Sequence, residues 1–361
     1  MLPLDDQQAH EAQPVQKASA PPVSLDWMSD CRQWGVKAPQ GSHGLTLEAI
    51  NIGVYGDIPE VWEEMTRMPR GAYPVEGVPR IDNYAIHQKV ELWSENASAL
   101  YEEAIQRRWN AQTDISWETL VPLPQDLELA LCQLCTELSQ QAVVEGEVLG
   151  NWLHRMSYGY YEVKSFLATE AFDSARHVEA FRQRALANGG TLGLESPGRV
   201  NRRMVEVRGG WTETALLLYI MRGPLTLLLY RYGEAYAPTP VEKTLFRLAL
   251  QDKARHLAYG MGHLRYAIEH KGAGYALALK RILIGAEQDL LKEMQDPVLW
   301  EALAIICGGG LRDMEAGMAV VKRLQHTYLE AYVRRLQWVG VDKTMHDLAP
   351  GLQAFLTPVA A

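Results

Sequence analysis

From about residue 95 onward, apolar residues recur at three- and four-residue intervals, and the strict alternation of a half-buried strand is nowhere sustained. The spacing predicts a helix over 95–111, through "ASALYEEAIQRRWN". Four long helices follow: A over 125–156, B over 160–187, C over 212–236 and D from 240 to about 270. "NGG" at 188–190 is a C-terminal stop for B. At the start of D, Thr239 is placed as N-cap, Pro240 in the first turn and Glu242 three residues after the cap, the signature of a capping box. Further helices are expected over 275–295, 297–306 and 311–338, the last two separated by "CGGG". No Lys-Ser/Thr follows that glycine run, so it is a helix break rather than a phosphate-binding loop.

Helices A–B and C–D are joined by short turns and B–C by a longer, Gly-, Pro- and Arg-rich crossing. That order suits an all-α four-helix bundle with one long connection and additional N- and C-terminal helices. The expected organisation is a disordered tail over 1–22, an irregular lead-in over 23–94, the helical domain over 95–340 and a C-terminal tail over 341–361.

Composition narrows the class. With 47% hydrophobic residues the chain can bury a large core, and a net charge of −9 argues against a nucleic-acid-binding surface. The longest apolar stretch, "ALLLYIMRGPLTLLLY" at 215–230, is too short to span a bilayer and carries Arg222 and Pro224. No secretory signal is evident, and four cysteines in this length do not make a disulfide framework. Cys132 and Cys135 form a C-x-x-C inside a helical pattern without a second pair, which reads as ordinary thiols. Cytoplasm is the expected compartment.

The chemistry is concentrated in a repeat. Asp-x-Ala-Arg-His occurs at 173–177 and again at 252–256, once on helix B and once on helix D. In a bundle that holds a carboxylate-bridged pair of metals, two helices each give a Glu and two each give a Glu-x-x-His, because residues i and i+3 share a face. Here the positions three before the histidines are Ser174 and Lys253.

"ATEAFDSARHVEAF" (168–181) resembles the Asp-Glu-Ala-Arg-His helix of the ferritin-like diiron oxygenases and oxidases, the superfamily of arylamine N-oxygenases and the radical subunit of ribonucleotide reductase. "QDKARHLAYGMGHLR" (251–265) is similar to its fourth-helix motif, "YIMRGPLTLLLY" (219–230) to its third and "VEGEVLGNWL" (144–153) to its first. "RRWNAQTDISW" (107–117) also looks like a segment of that family. The likeness covers roughly residues 95–270. It implies a first-helix ligand at Glu147, with Glu145 as second choice. It implies a second-helix pair at Ser174 and His177, a third-helix position at Arg222, and a fourth-helix pair at Lys253 and His256. Three of the four carboxylates are therefore absent, and two are replaced by cations.

Two divalent ions beside Arg222 and Lys253 would be strongly disfavoured in a protein interior. The residues balance without them if Glu147 and Glu170 pair with Arg222 and Lys253, since Glu170 shares a face with Ser174 and His177. On this balance no cofactor is expected, with iron or manganese as the alternative. Three readings of His177 and His256 stand open: core histidines kept with the fold, a metal-free pocket, or a rebuilt one-ion site on Glu147, Glu170, His177 and His256.

The expected ligand is a small organic molecule in the bundle core, suited by a carboxylate if Arg222 and Lys253 form an anion clamp with Glu147 and Glu170 nearby. His177 or His256 would then act as acid or base, with Lys253 and Arg222 as further catalytic candidates. The alternatives are a non-catalytic subunit paired with an intact ferritin-like chain, or an oxidoreductase with a rebuilt metal site. A homodimer or such a heteromer is the expected assembly. Pro224 is expected to kink helix C. Tyr160, Tyr161, Tyr219, Tyr259, His154 and His263 are placed near the site.

Overall fold

The computed structural model describes residues 24–30, 35–62, 70–72, 77 and 84–356. The expected tail over 1–22 lies outside them. The chain divides into two units, 1–37 and 38–361. Within the first, residues 24–30 and 35–37 are described and hold the short 3-10 helix Asp26–Asp30.

The second unit is helical, with isolated bridges and no strand among its described residues. Its helices are α1 (Ala97–Gln106), α2 (Gln125–Leu153), α3 (Tyr161–Leu186), α4 (Arg199–Glu206), α5 (Trp211–Ala215), α6 (Gly223–Ala235), α7 (Pro240–Lys271), α8 (Ala273–Met294), α9 (Pro297–Gly308), α10 (Met314–Val339) and α11 (Pro350–Gln353). Helices α2 and α3 pack along their lengths, α6 packs on α7, and α9 and α10 close the far side. Leu131, Leu138, Phe166, Leu229, Phe246 and Leu329 are fully buried between these layers.

Helix C is interrupted. Between α5 and α6 runs a π-helical segment, Leu216–Arg222, and the Gly223 N–H bonds to the Leu218 carbonyl, five residues back. Pro224 lies in the first turn of α6 and offers no N–H to the carbonyl at 220, so the chain resolves the expected kink as a wide turn. That turn takes an extra residue and rotates the helix beyond it. Gly260 of α7 lets the segment approach, because a Cβ there would collide with the side chain of Tyr219.

The start of α7 differs in detail from the expected capping box. Thr239 accepts from Val241 N at 3.2 Å, and the Glu242 carboxylate takes the Thr239 hydroxyl and the Arg184 guanidinium.

Arg70 of the lead-in is anchored at the start of α3. Arg70 is buried against Glu162, and its Nη1 donates to Gly159 O at 2.6 Å. The segment expected as a C-terminal tail is packed on the bundle as far as residue 356. Val341, Leu348 and Leu352 are buried, and Lys343 pairs with Glu287 at 2.9 Å. Residues 357–361 lie outside the described ones.

Candidate functional site

The repeated motif builds a crossed pair. His177 on α3 meets Asp252 on α7 (Nε2 to Oδ2, 3.0 Å), and His256 on α7 meets Asp173 on α3 at the same distance. The motif explains the symmetry: Asp and His stand four apart on each helix, so two facing copies exchange partners. Between them Arg176 and Arg255 each contact both Asp173 and Asp252. Two carboxylates and two guanidiniums cancel, which is what lets four buried charges persist. Trp109, just after α1, adds an Nε1–H to Asp252 Oδ2 at 2.7 Å, and its carbonyl accepts from Arg176 Nη1 at 3.0 Å.

With Nε2 of each histidine engaged by a carboxylate, the Nδ1 atoms turn to the bundle interior. Both are buried and without a hydrogen-bond partner, and so is Oε1 of Glu170. That oxygen lies 3.7 Å from Nδ1 of His256. Its twin, Oε2, accepts the Tyr219 hydroxyl at 2.9 Å. The imidazole centroids are 6.4 Å apart, and His177 is walled by Trp109, Phe181 and Tyr230.

Lys253, fully buried, is ion-paired with Glu145 of α2. Burial would raise the Glu145 carboxyl, but the ammonium of Lys253 outweighs it and lowers it below its ordinary range. Burial raises Glu170 above its ordinary value, only partly opposed by His256, Lys253 and Tyr219. For His256, burial is outweighed by Glu170 and Asp173, and the imidazole is raised. Burial of Asp252 is likewise overcome by His177, Arg176 and Arg255, which lower it.

Several expected positions fall elsewhere. Glu147 is exposed, and Glu145 is the inward carboxylate of α2. Arg222 is buried but bonds Glu293 of α8 (Nη2 to Oε2, 2.6 Å), whereas Lys253 holds Glu145. The two cations therefore serve separate carboxylates and form no joint anion clamp. The wide turn is the physical reason: it presents Tyr219 to Glu170 and turns Arg222 toward α8. Ser174 donates to the Glu170 carbonyl at 3.0 Å, and its Cβ lies 3.9 Å from where a Cβ on Gly146 of α2 would stand.

The secondary candidates also sort themselves. Tyr259 donates to Leu92 O at 2.9 Å and packs against Tyr219. Tyr160 bonds the backbone at Glu60 and His87, and Tyr161 bonds Asn51. His154 is exposed, and His263 is buried between Trp93 O and Thr212. Glu137 and Glu145 are readable from the sequence as an i, i+4, i+8 face with Gln141. Glu293 lies outside every motif and carries no such signal.

No family model matches this sequence, and no curated protein matches it. Solved structures do share the fold. An R2-like ligand-binding oxidase with a reconstituted metal cofactor superposes with a TM-score of 0.54 and 17% identity, covering 69% of this chain and 95% of that one. A variant with a Mn/Fe cofactor gives 0.54 and 18% over the same shares, and another with an Fe/Fe cofactor gives 0.53 and 17%. The bundle is thus ferritin-like, as the motifs implied. No helix among the described residues is long and apolar enough to cross a membrane.

These neighbours overturn the expectation of no cofactor, because the structures that share this fold were solved with metal cofactors, Mn/Fe in one and Fe/Fe in another. The donor set here does not suit two ions. Ser174 is turned to its own helix, Lys253 brings a positive charge, and Tyr219 stands on the third helix facing Glu170. As the side chains lie, no three His, Cys, Asp or Glu among the described residues form a closed metal-ligand group. One ion is a better match. His177 Nδ1, His256 Nδ1 and Glu170 Oε1 are buried without hydrogen-bond partners, and with the proton of His256 displaced two imidazoles and one carboxylate suit iron or manganese.

Proposed function

We propose that this protein is an oxidoreductase of ferritin-like architecture that works with one iron or manganese ion on His177, His256 and Glu170 and acts on a small organic ligand. The observation that carries it is that three metal-donor atoms, Nδ1 of His177, Nδ1 of His256 and Oε1 of Glu170, are buried without a hydrogen-bond partner, the last two 3.7 Å apart. Buried polar atoms without partners are rare and costly, and a ligating cation removes the cost for all three at once. A bound iron or manganese ion supplies redox chemistry toward dioxygen.

The chain's own residues do the rest. Asp252 and Asp173 accept the Nε2–H groups, which fixes both tautomers and directs the Nδ1 lone pairs inward. Tyr219 restrains Glu170 through Oε2 and leaves Oε1 available. The Lys253–Glu145 pair fills the position three residues before His256 with no net charge. One dication then faces one uncompensated carboxylate, Glu170, where two would leave a large positive excess beside Lys253. Phe181, Tyr230 and Trp109 keep water from His177.

The test is metal analysis by mass spectrometry of protein produced with added iron and manganese. One ion per chain is expected, lost in His256→Ala and in His177→Ala. A count of two, or none under both supplements, would sink the reading.

A further inference from the structure

A second polar site lies away from the histidines. The strap over residues 190–198 is fastened to α2 by side chains. Gly193 N donates to Thr136 Oγ1 at 2.8 Å, Leu194 N to Gln133 Oε1 at 2.8 Å and Ser196 N to Gln140 Oε1 at 3.1 Å. Between this strap, α2, the start of α6 and the α8–α9 corner is a cavity of about 230 Å³. Leu225, Leu299 and Trp300 give it an apolar side.

Its charges are unequal. Glu137, Glu195, Glu293 and Asp296 line it against a single cation, Arg222. Asp296 is occupied as the cap of α9, accepting from Val298 N at 3.0 Å, and Glu293 is paired with Arg222. Glu195 is exposed to solvent, which leaves Glu137 as the buried carboxylate to be matched. Glu137 is 5% exposed, accepts from Gln141 Nε2 at 3.1 Å, and has no ion pair among the described residues. Arg222 is 3% exposed, and its Nε–H is buried without an acceptor.

We propose that this cavity binds a small organic ammonium, its charged head on Glu137 and its apolar body against Leu225, Leu299 and Trp300. A ligand oxygen near the head would satisfy the Nε–H of Arg222. An anion is disfavoured, because the one guanidinium is already engaged and every other charged group in the lining is a carboxylate. Burial raises Glu137 above its ordinary value, and a cation is the partner that recovers its ionised form. Pockets of this make-up, largely apolar with a few convergent polar groups, are the usual form of small-molecule sites. The inference is independent of the metal reading.

Isothermal titration of the full chain with hexylammonium, hexanoate and 1-hexanol tests it, with and without added iron or manganese. Hexylammonium is expected to bind at least about tenfold more tightly than the other two, regardless of metal. Glu137→Gln is expected to remove that preference, and Leu299→Trp to block binding by filling the cavity, each with an unchanged far-ultraviolet dichroism spectrum and melting profile. Preference for hexanoate, equal binding of all three, survival of hexylammonium binding in both variants, or no binding up to the solubility limit would overturn it.

Discussion

The ammonium of Lys253 on α7 is ion-paired with the carboxylate of Glu145 on α2, both wholly inside the bundle. A cation thus stands three residues before His256, where the motif would otherwise place a ligand. Breaking such a pair strands a buried charge. Lys253→Met or Glu145→Leu alone should each lower unfolding free energy by about 3–5 kcal/mol, and the double variant Lys253→Met/Glu145→Leu should recover most of it. Urea unfolding of the four proteins gives the coupling, and additive losses would contradict the pairing.

Replacing the ammonium by a donor should change what the core holds. Lys253→Glu with Ser174→Glu restores a carboxylate three residues before each histidine, on the same face. The bound metal should rise from one ion toward two per chain, read by mass spectrometry. An unchanged count would contradict the exclusion of the second ion by the charge of Lys253.

The carboxylates behind the histidines should tune affinity rather than abolish it. Asp252→Asn keeps a hydrogen-bond acceptor for His177 but removes the charge shared with Arg176 and Arg255. Iron or manganese affinity should fall about 10–100-fold, measured by competition with a chelator.

His263 provides a pH signature away from the His177–His256 pair. Burial, against the opposing hydrogen bond to Trp93 O, lowers it from 6.5 to about 4. The unfolded chain therefore binds a proton on this residue between those values while the folded chain does not, so stability falls as pH drops from about 6.5 to about 4. The drop attributable to His263 is about 3 kcal/mol, complete below the lower value. Comparing unfolding of the parent and His263→Gln across this range isolates it, and parallel profiles would refute it.

The C-terminal segment should contribute to stability. Leu352 is fully buried, and Lys343 holds both Glu287 and the Asp347 carbonyl, the latter at 2.8 Å. Leu352→Ala should cost about 2–5 kcal/mol, visible as a lower melting temperature.

Local pattern determined much of this protein. The 3.6-residue periodicity, the Thr239–Pro240 start of α7 and the paired Asp-x-Ala-Arg-His segments placed the long helices and the facing histidines. Each of those signals lies within one or two turns of chain. Local pattern could not decide which side each neighbouring residue takes. Glu145 and Glu147 are two apart, and only the packing of α2 on α3 turns the first inward and leaves the second exposed. Arg222 aligns as an interior cation, but the wide turn before Pro224 spends an extra residue, sends Arg222 to Glu293 and brings Tyr219 to Glu170. The partners of Lys253 and Arg222 come from helices 108 and 71 residues away. Their choice is a matter of long-range geometry, which the chain acquires only when the bundle closes.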